Sequence, residues 1–201
     1  LGEESFRRNH EVDQAARVAL AGSDHIAYPF EPNGSDERQY SSPGFRIPTG
    51  SITKDKYYEY PEYHTSADNL EFISAESLAT TLEVYKSTIE NLEMNRTFVR
   101  TDPHGEYRLG KYGLYPSVGG EYAQPAALPE GHLAHSYRLG PDGDSLRGVY
   151  LNALEWMMHC ADGRTSLLEV SRVSTLPMRV LFETATRMQE LGLLQVSEIA
   201  S

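Results

Sequence analysis

The segment SAESLATTLEVYKSTIENLEM, residues 74–94, decides much of the fold because it is a long stretch with helical periodicity. That periodicity predicts a helix from Ala75 to about Met94, for which Ser74 is the expected N-cap. Its large apolar residues recur at intervals of three and four, and we expect them to form one buried stripe. The stripe consists of Leu78, Leu82, Tyr85, Ile89 and Leu92.

Shorter elements precede this helix. Residues 4–20 place apolar side chains near one side and predict an amphipathic helix that ends at Gly22. Residues 26–30 and 45–52 predict two short strands, the second flanked by Pro and Gly and therefore expected at a sheet edge. The order helix, strand, strand, loop, helix indicates a fragment of an α/β domain.

The second half of the chain has a different organisation. Periodicity fails from about residue 96 to residue 147, and clustered Gly and Pro predict a connector whose most mobile piece is residues 120–143. Three helical patterns follow, over residues 149–159, 166–173 and 175–191. The last predicted element is a strand over residues 193–196. Three helices followed by a strand are typical of a winged helix-turn-helix domain. The predicted boundaries are thus 1–98 for the α/β part, 99–145 for the connector and 146–201 for the winged helix.

Composition restricts the function classes. The 201 residues carry a net charge of -11, which disfavours nonspecific attraction to nucleic acid or to anionic membranes. A single cysteine, Cys160, excludes an internal disulfide and fits a cytoplasmic protein. No run approaches the roughly 20 apolar residues that span a bilayer. Because Leu1 is not an initiator Met, we expect a chain processed upstream or the later part of a longer protein.

The stretch Tyr63-His64-Thr65-Ser66-Ala67-Asp68-Asn69 is the first candidate site. Neutral imidazole is the commonest transition-metal ligand, so His64 on a loop between a strand and a helix is a candidate ligand. Thr65 and Asp68 are expected to fix the loop behind the imidazole. The alternative is a hydrogen-bonded structural histidine or a surface residue, which is the usual role of a single histidine.

A second candidate is the segment Gly34-Ser35-Asp36-Glu37-Arg38. Glycine permits a sharp turn, after which Asp36, Glu37 and Arg38 could be presented together. The alternative is an Asx turn with a solvated ion pair.

Together these segments resemble a known family. The runs Tyr28-Pro29-Phe30, Gly34 to Tyr40, Ser42-Pro43-Gly44-Phe45 and Glu59 to Asn69 resemble the bacterial aminopeptidase-like proteins related to di-zinc exopeptidases, which carry a C-terminal winged helix. Leu109 to Pro116 resembles the family connector, and Asp162-Gly163 with Ser166-Leu167-Leu168 resembles the opening of its winged helix. The fold implied is part of a three-layer, zinc-exopeptidase-like α/β domain followed by a small winged helix-turn-helix domain.

The resemblance also implies site roles. His64 matches the last metal ligand, with zinc as the expected ion and manganese or cobalt as alternatives, while Asp36, Glu37, Arg38, Tyr63 and Asp68 would contact the substrate or support the ligand. The family's remaining ligands and its general base come from segments that this sequence does not contain. Zinc would lower the pKa of a bound water toward about 7 and polarise an amide carbonyl. His132 and His135 fall in the connector and are not expected to be ligands.

Three functions follow as hypotheses. The first is a metal-dependent aminopeptidase-like hydrolase that acts on a peptide or amino-acid conjugate and needs the upstream half of the protein. The second is a non-catalytic pseudo-peptidase or assembly module whose winged helix mediates protein contacts, including those of a homo-oligomer. The third is a transcription regulator, which the charge disfavours because residues 147–201 contain five Arg, no Lys and six acidic residues.

Overall fold

The computed structural model describes residues 2–32, 34–114 and 146–197, which divide into two compact units. The first unit extends over residues 1–93 and the second over residues 94–201. The predicted connector piece over residues 120–143, with His132 and His135, lies outside the described residues. Mixed α/β structure with small sheets is observed, as predicted. The three-layer arrangement and the boundaries 1–98, 99–145 and 146–201 stay predictions.

The first unit combines three two-residue strands with three helices. The strands are β1 (Gly2–Glu3), β2 (Ala27–Tyr28) and β3 (Ser51–Ile52). The central strand β1 pairs in parallel with β2 and antiparallel with β3. The helices are α1 (Glu11–Ala19), α2 (Asp36–Tyr40) and α3 (Ala75–Met94).

Helix α1 is shorter than the predicted residues 4–20 because its start is fixed by a buried carboxylate. The Asp13 carboxylate accepts hydrogen bonds from the Ser5 N–H at 2.6 Å, the Ser5 hydroxyl at 2.7 Å and the His10 N–H at 2.8 Å. Residues before His10 therefore join the sheet and a turn instead of extending the helix. The strand predicted over residues 45–52 is likewise reduced to Ser51–Ile52, and Pro48 within it lacks the N–H that a ladder requires.

Helix α3 has the predicted bounds, and its first turn is capped as expected: the Ser77 N–H donates to Ser74 Oγ at 3.1 Å. The predicted burial of its stripe is wrong for four of the five side chains. Leu78, Leu82, Tyr85 and Ile89 are exposed by 61, 58, 42 and 57%. The face of α3 that is covered is polar: Thr88 and Asn91 are buried, and Asn91 Nδ2 donates to the Ala15 carbonyl of α1 at 3.2 Å.

The second unit packs helices and a three-stranded antiparallel sheet around an apolar core. Its strands β4 (Thr97–Arg100), β5 (Asp162–Ser166) and β6 (Leu194–Val196) lie in the order β5-β4-β6. A short 3-10 helix at Leu109–Tyr112 precedes helices α4 (Leu146–Cys160), α5 (Leu167–Ser174) and α6 (Met178–Glu190). Phe98, Leu154, Met157, Leu181 and Met188 are among its fully buried side chains.

Local sequence signals explain these helix ends. Ser166 Oγ accepts from the Glu169 N–H at 3.3 Å and caps α5, and Gly192 follows α6 with a φ of 73°. Thr175, at which the sequence predicted the third helix of this part to begin, instead ends α5 in the left-handed conformation.

Candidate functional site

His64 lies on the loop that leads from β3 to α3, as the sequence predicted. The Thr65 hydroxyl donates to the Glu62 carbonyl at 2.8 Å and accepts from the Ala67 N–H at 3.2 Å. The Thr65 side chain thus hydrogen-bonds the backbone on both sides of the turn. They help to hold His64 at a φ of 55°, in the left-handed region that residues other than glycine adopt at a cost.

The imidazole of His64 is exposed, and its plane is set by Tyr63. The two rings are stacked with centroids 4.1 Å apart and an angle of 13° between planes. Tyr58 contacts the imidazole from its edge at 6.5 Å. A histidine side chain oriented by a stack, on a loop pinned by a threonine, presents its ring nitrogens in a defined direction.

Tyr63 is the centre of an aromatic cluster made of Tyr57, Tyr58, Tyr60, Tyr63, His64 and Phe72. Its ring contacts those of Tyr58 at 4.7 Å and Tyr60 at 5.5 Å, both edge to face, and Tyr60 stacks on Phe72 at 5.7 Å. Edge-to-face and offset contacts are the favourable arrangements for aromatic rings. Desolvation, and secondly the neighbouring Tyr58 phenol, raise the pKa of Tyr63 above its ordinary value.

The Tyr57 hydroxyl connects this cluster to two carboxylates. It donates to Glu3 Oε2 at 3.0 Å, and its distance to Glu37 Oε1 is 3.3 Å. Burial, followed by the hydrogen bond to Glu3, raises the pKa of Tyr57 well above its ordinary value. The phenol therefore remains a hydrogen-bond donor between the two acidic side chains.

Glu37 faces inward instead of being presented to solvent. It is only 5% exposed, and its Oε1 also accepts from the Ser35 N–H at 2.5 Å. Gly34 makes this possible, because a Cβ at that position would lie 1.4 Å from Glu37 Oε1 and 2.8 Å from the Tyr57 hydroxyl. The backbone before α2 thus wraps around the carboxylate.

The other predicted site residues are at the surface. Asp36 and Arg38 are exposed on α2, and Asp68 is exposed on the loop after His64, where its N–H donates to the Thr65 carbonyl at 3.2 Å. The structure brings Tyr63 to His64, and it connects Glu37 to the same cluster through Tyr57, whose ring centroid lies 6.3 Å from that of Tyr63. It shows no contact that joins Asp36, Arg38 or Asp68 to the imidazole within the described residues.

Sequence reasoning missed Tyr57 and Glu3. Tyr57 belongs to the aromatic run before His64, which was a usable signal. Glu3 had no signal, because its partner Tyr57 is 54 residues away.

The described side chains do not supply a full set of metal ligands. Within residues 2–32, 34–114 and 146–197, no three His, Cys, Asp or Glu side chains converge in a way that could hold a metal ion. Catalytic zinc needs three protein ligands. The described residues therefore offer His64 as one candidate ligand and do not by themselves fit a complete metal centre.

The surface of the second unit carries balanced charge. On α6, Arg187 pairs with Glu190 at 2.9 Å, and on α5, Arg172 pairs with Glu169 at 2.5 Å. The hydrogen bond from Arg172 lowers the pKa of Glu169 against the opposing effect of burial. Guanidinium groups already paired with carboxylates are poorly suited to phosphate binding.

In the described part of the chain, no helix has the length and apolar character needed to cross a membrane.

Known proteins resemble this chain in sequence and in structure. Residues 3–95 match a family described as a "domain of unknown function (DUF4910)". The chain is 32% identical over 188 residues to a Clostridium acetobutylicum protein named "putative polysaccharide biosynthesis protein with aminopeptidase-like domain", covering 92% of this chain and 38% of that protein. It also resembles a crystal structure titled as a "putative peptidase" from Clostridium acetobutylicum, with a TM-score of 0.72 and 27% identity, over 97% of this chain and 38% of the other.

The two similarities also compare the length of this chain with the lengths of the matched proteins. It spans well under half the length of the relative and of the solved structure that it matches. The resemblance to aminopeptidase-like proteins, inferred above from sequence runs, agrees with the name of the relative, and the name of the solved structure agrees with a peptidase-like fold. Neither name mentions zinc or a winged helix.

Proposed function

We propose that this chain is one part of an aminopeptidase-like hydrolase that cleaves an amide bond in a peptide or amino-acid conjugate. The similarity to an aminopeptidase-like protein and to a peptidase structure over more than nine-tenths of the chain supports the reaction class. The observation that carries the proposal is the exposed imidazole of His64, stacked on Tyr63 on a loop between a strand and a helix.

His64 is proposed as a single ligand of a divalent metal, zinc in the first instance. A metal-binding histidine needs a fixed ring orientation, and the Tyr63 stack with the Thr65 hydrogen bonds supplies one. The remaining ligands and the general base would come from polypeptide that corresponds to the rest of the relatives. No hydrolytic step is assigned to the residues described, because they offer one ligand only.

The neighbouring side chains have two different roles in this proposal. Asp36, Arg38 and Asp68 are exposed and are proposed to contact substrate. Glu37 is buried against Tyr57 and is proposed as a positioning residue, which holds the tyrosine cluster beneath His64.

The second unit is proposed to be a winged helix that serves protein contacts. The order α4, β5, α5, α6, β6, with three helices and a final strand, supports this assignment, and β4 adds a strand from the preceding sequence. The paired charges on α5 and α6 favour packing over DNA binding. A non-catalytic assembly module that uses the winged helix for protein contacts is the second candidate function, favoured by the paired charges on α5 and α6.

Hydrolysis of aminoacyl anilides tests the proposal. The chain would be assayed together with the polypeptide that aligns with the rest of the relatives. Chelation should abolish release of the aniline, and added zinc, manganese or cobalt should restore it. His64→Ala should lose activity, whereas His104→Ala, which replaces another exposed histidine in the second unit, should keep it. Activity that survives both the chelator and His64→Ala would contradict the proposal.

A further inference from the structure

The two units differ in where their apolar side chains lie. Among the described residues, all buried hydrophobic side chains except Ala15 and Leu20 belong to the second unit. The exposed large hydrophobic residues show the reverse, since all except Val173 and Val196 belong to the first unit. The first unit instead buries polar groups, namely Ser5, Asp13, Glu37, Ser41, Thr88 and Asn91.

Helix α3 shows this inversion most clearly. Leu78, Leu82, Tyr85 and Ile89 are spaced by four, three and four residues, so they form one narrow row along the helix. The buried Thr88 and Asn91 lie roughly 90° and 150° around the helix from the centre of that row. Helix α3 is therefore covered on a polar face, whereas its apolar row is exposed. The row contacts β3 through the Tyr85 hydroxyl, which accepts from the Ile52 N–H at 3.3 Å and donates to the Ile52 carbonyl at 3.1 Å.

The exposed apolar surface continues in the sequence before α3. Leu70 is 85% exposed, and Phe72 and Ile73 are also exposed. Contiguous exposed apolar side chains often mark sites where another polypeptide packs. We call Leu78, Leu82, Tyr85 and Ile89 the α3 row.

We propose that the α3 row is a docking surface for the polypeptide that makes up the larger remaining part of the aminopeptidase-like relatives, whether it lies on the same chain or another. This chain matches only 38% of the relative and 38% of the solved structure, so most of each longer protein has no counterpart in this chain. The uncovered surface lies in the first unit, whereas the second unit has its own core. The proposal concerns association and stands independently of whether the protein hydrolyses an amide.

Charge argues against a second copy as the occupant. Helix α3 carries Glu76, Glu83, Glu90 and Glu93 against Lys86 alone. Two α3 helices packed together would place acidic side chains near one another, which is unfavourable. The surface fits an apolar face flanked by Lys or Arg.

The row can be tested by substitution and association. The probe is the polypeptide from the same organism that aligns with the unmatched part of the Clostridium acetobutylicum relative, expressed separately or together with this chain. Leu82→Glu and Ile89→Glu should each weaken its association at least about 100-fold. Ala79→Glu introduces the same charge on the exposed polar side of α3 and should change the affinity less than about threefold. Because Leu82 and Ile89 are exposed, both variants should keep the wild-type circular dichroism spectrum.

Thiol labelling supplies a second, independent readout. In a Cys160→Ser background, Leu82→Cys should react rapidly in the chain alone and at least tenfold more slowly with the probe bound. Glu83→Cys, on the polar side, should react at the same rate in both states. The proposal is overturned if the probe leaves Leu82→Cys as reactive as before, or if the chain alone forms dimers that Leu82→Glu dissociates.

Discussion

The imidazole of His64 lies nearly parallel to the phenol ring of Tyr63, with the two ring centroids 4.1 Å apart. Adjacent side chains of a strand point to opposite sides, but Tyr63 and His64 lie in a turn. His64 has a left-handed conformation there, with a φ of 55°. The stack is what gives an otherwise exposed histidine a fixed direction.

The first prediction concerns this stack. Ring currents from Tyr63 should shift the His64 ring protons upfield relative to those of His104, which has no aromatic neighbour among the described residues. Tyr63→Phe keeps a ring and should preserve the shift, whereas Tyr63→Leu should remove it. Proton NMR of the histidine region measures this, and equal shifts in Tyr63→Phe and Tyr63→Leu would refute the stacked geometry.

The second prediction concerns the turn around Glu37. Gly34→Ala should destabilise the first unit by about 1–3 kcal/mol, because the new Cβ would overlap the Glu37 carboxylate. Gly44→Ala is the matched control, since a Cβ there meets nothing within 4 Å. Urea unfolding followed by tyrosine fluorescence compares the two. Equal midpoints for Gly34→Ala and Gly44→Ala would show that the backbone does not wrap around Glu37.

The third prediction concerns alkaline pH. Because the pKa of Tyr57 is raised on folding, the folded state holds its proton more tightly than the unfolded state. The resulting stability is fully present below the ordinary tyrosine pKa of 10.0 and is lost as the pH rises above it. Thermal unfolding at pH 8 and pH 11 should therefore show a smaller loss of Tm for Tyr57→Phe than for the wild type. An identical loss in both proteins would mean that Tyr57 is not the group responsible.

The fourth prediction compares two leucines in the two units. Leu154 is fully buried, so Leu154→Ala should cost about 2–5 kcal/mol of unfolding free energy. Leu82 is 58% exposed, so Leu82→Ala should cost less than about 0.5 kcal/mol in the chain alone. Denaturant titration of both variants checks this difference. A large cost for Leu82→Ala would show that the α3 row is covered in the isolated chain.

The sequence predicted elements where local chemistry decides them. Ser74 and Ser166 cap α3 and α5 as their residue types suggest, and Gly192 follows α6 in the left-handed conformation. Helical periodicity also identified the apolar row of α3. It could not tell whether that row is covered, because burial depends on what packs against the helix.

Contacts between distant residues were beyond sequence reasoning. The burial of Glu37 depends on Tyr57, 20 residues later, and Tyr57 is shared with Glu3 at the other end of the first unit. The strands β1, β2 and β3 have two residues each, too few for a period-two pattern to be recognised. The loop carrying His64 was predicted correctly, whereas its orientation came from a stack between adjacent residues that no periodicity describes.

Metal content tests the central claim most directly. The chain would be purified together with the polypeptide that aligns with the rest of its relatives, and bound metal would be measured by mass spectrometry in wild type, His64→Ala and His104→Ala. We expect a stoichiometric divalent metal in wild type and His104→Ala, and a loss of at least tenfold in occupancy in His64→Ala. Full occupancy in His64→Ala would contradict the assignment of this histidine as a ligand.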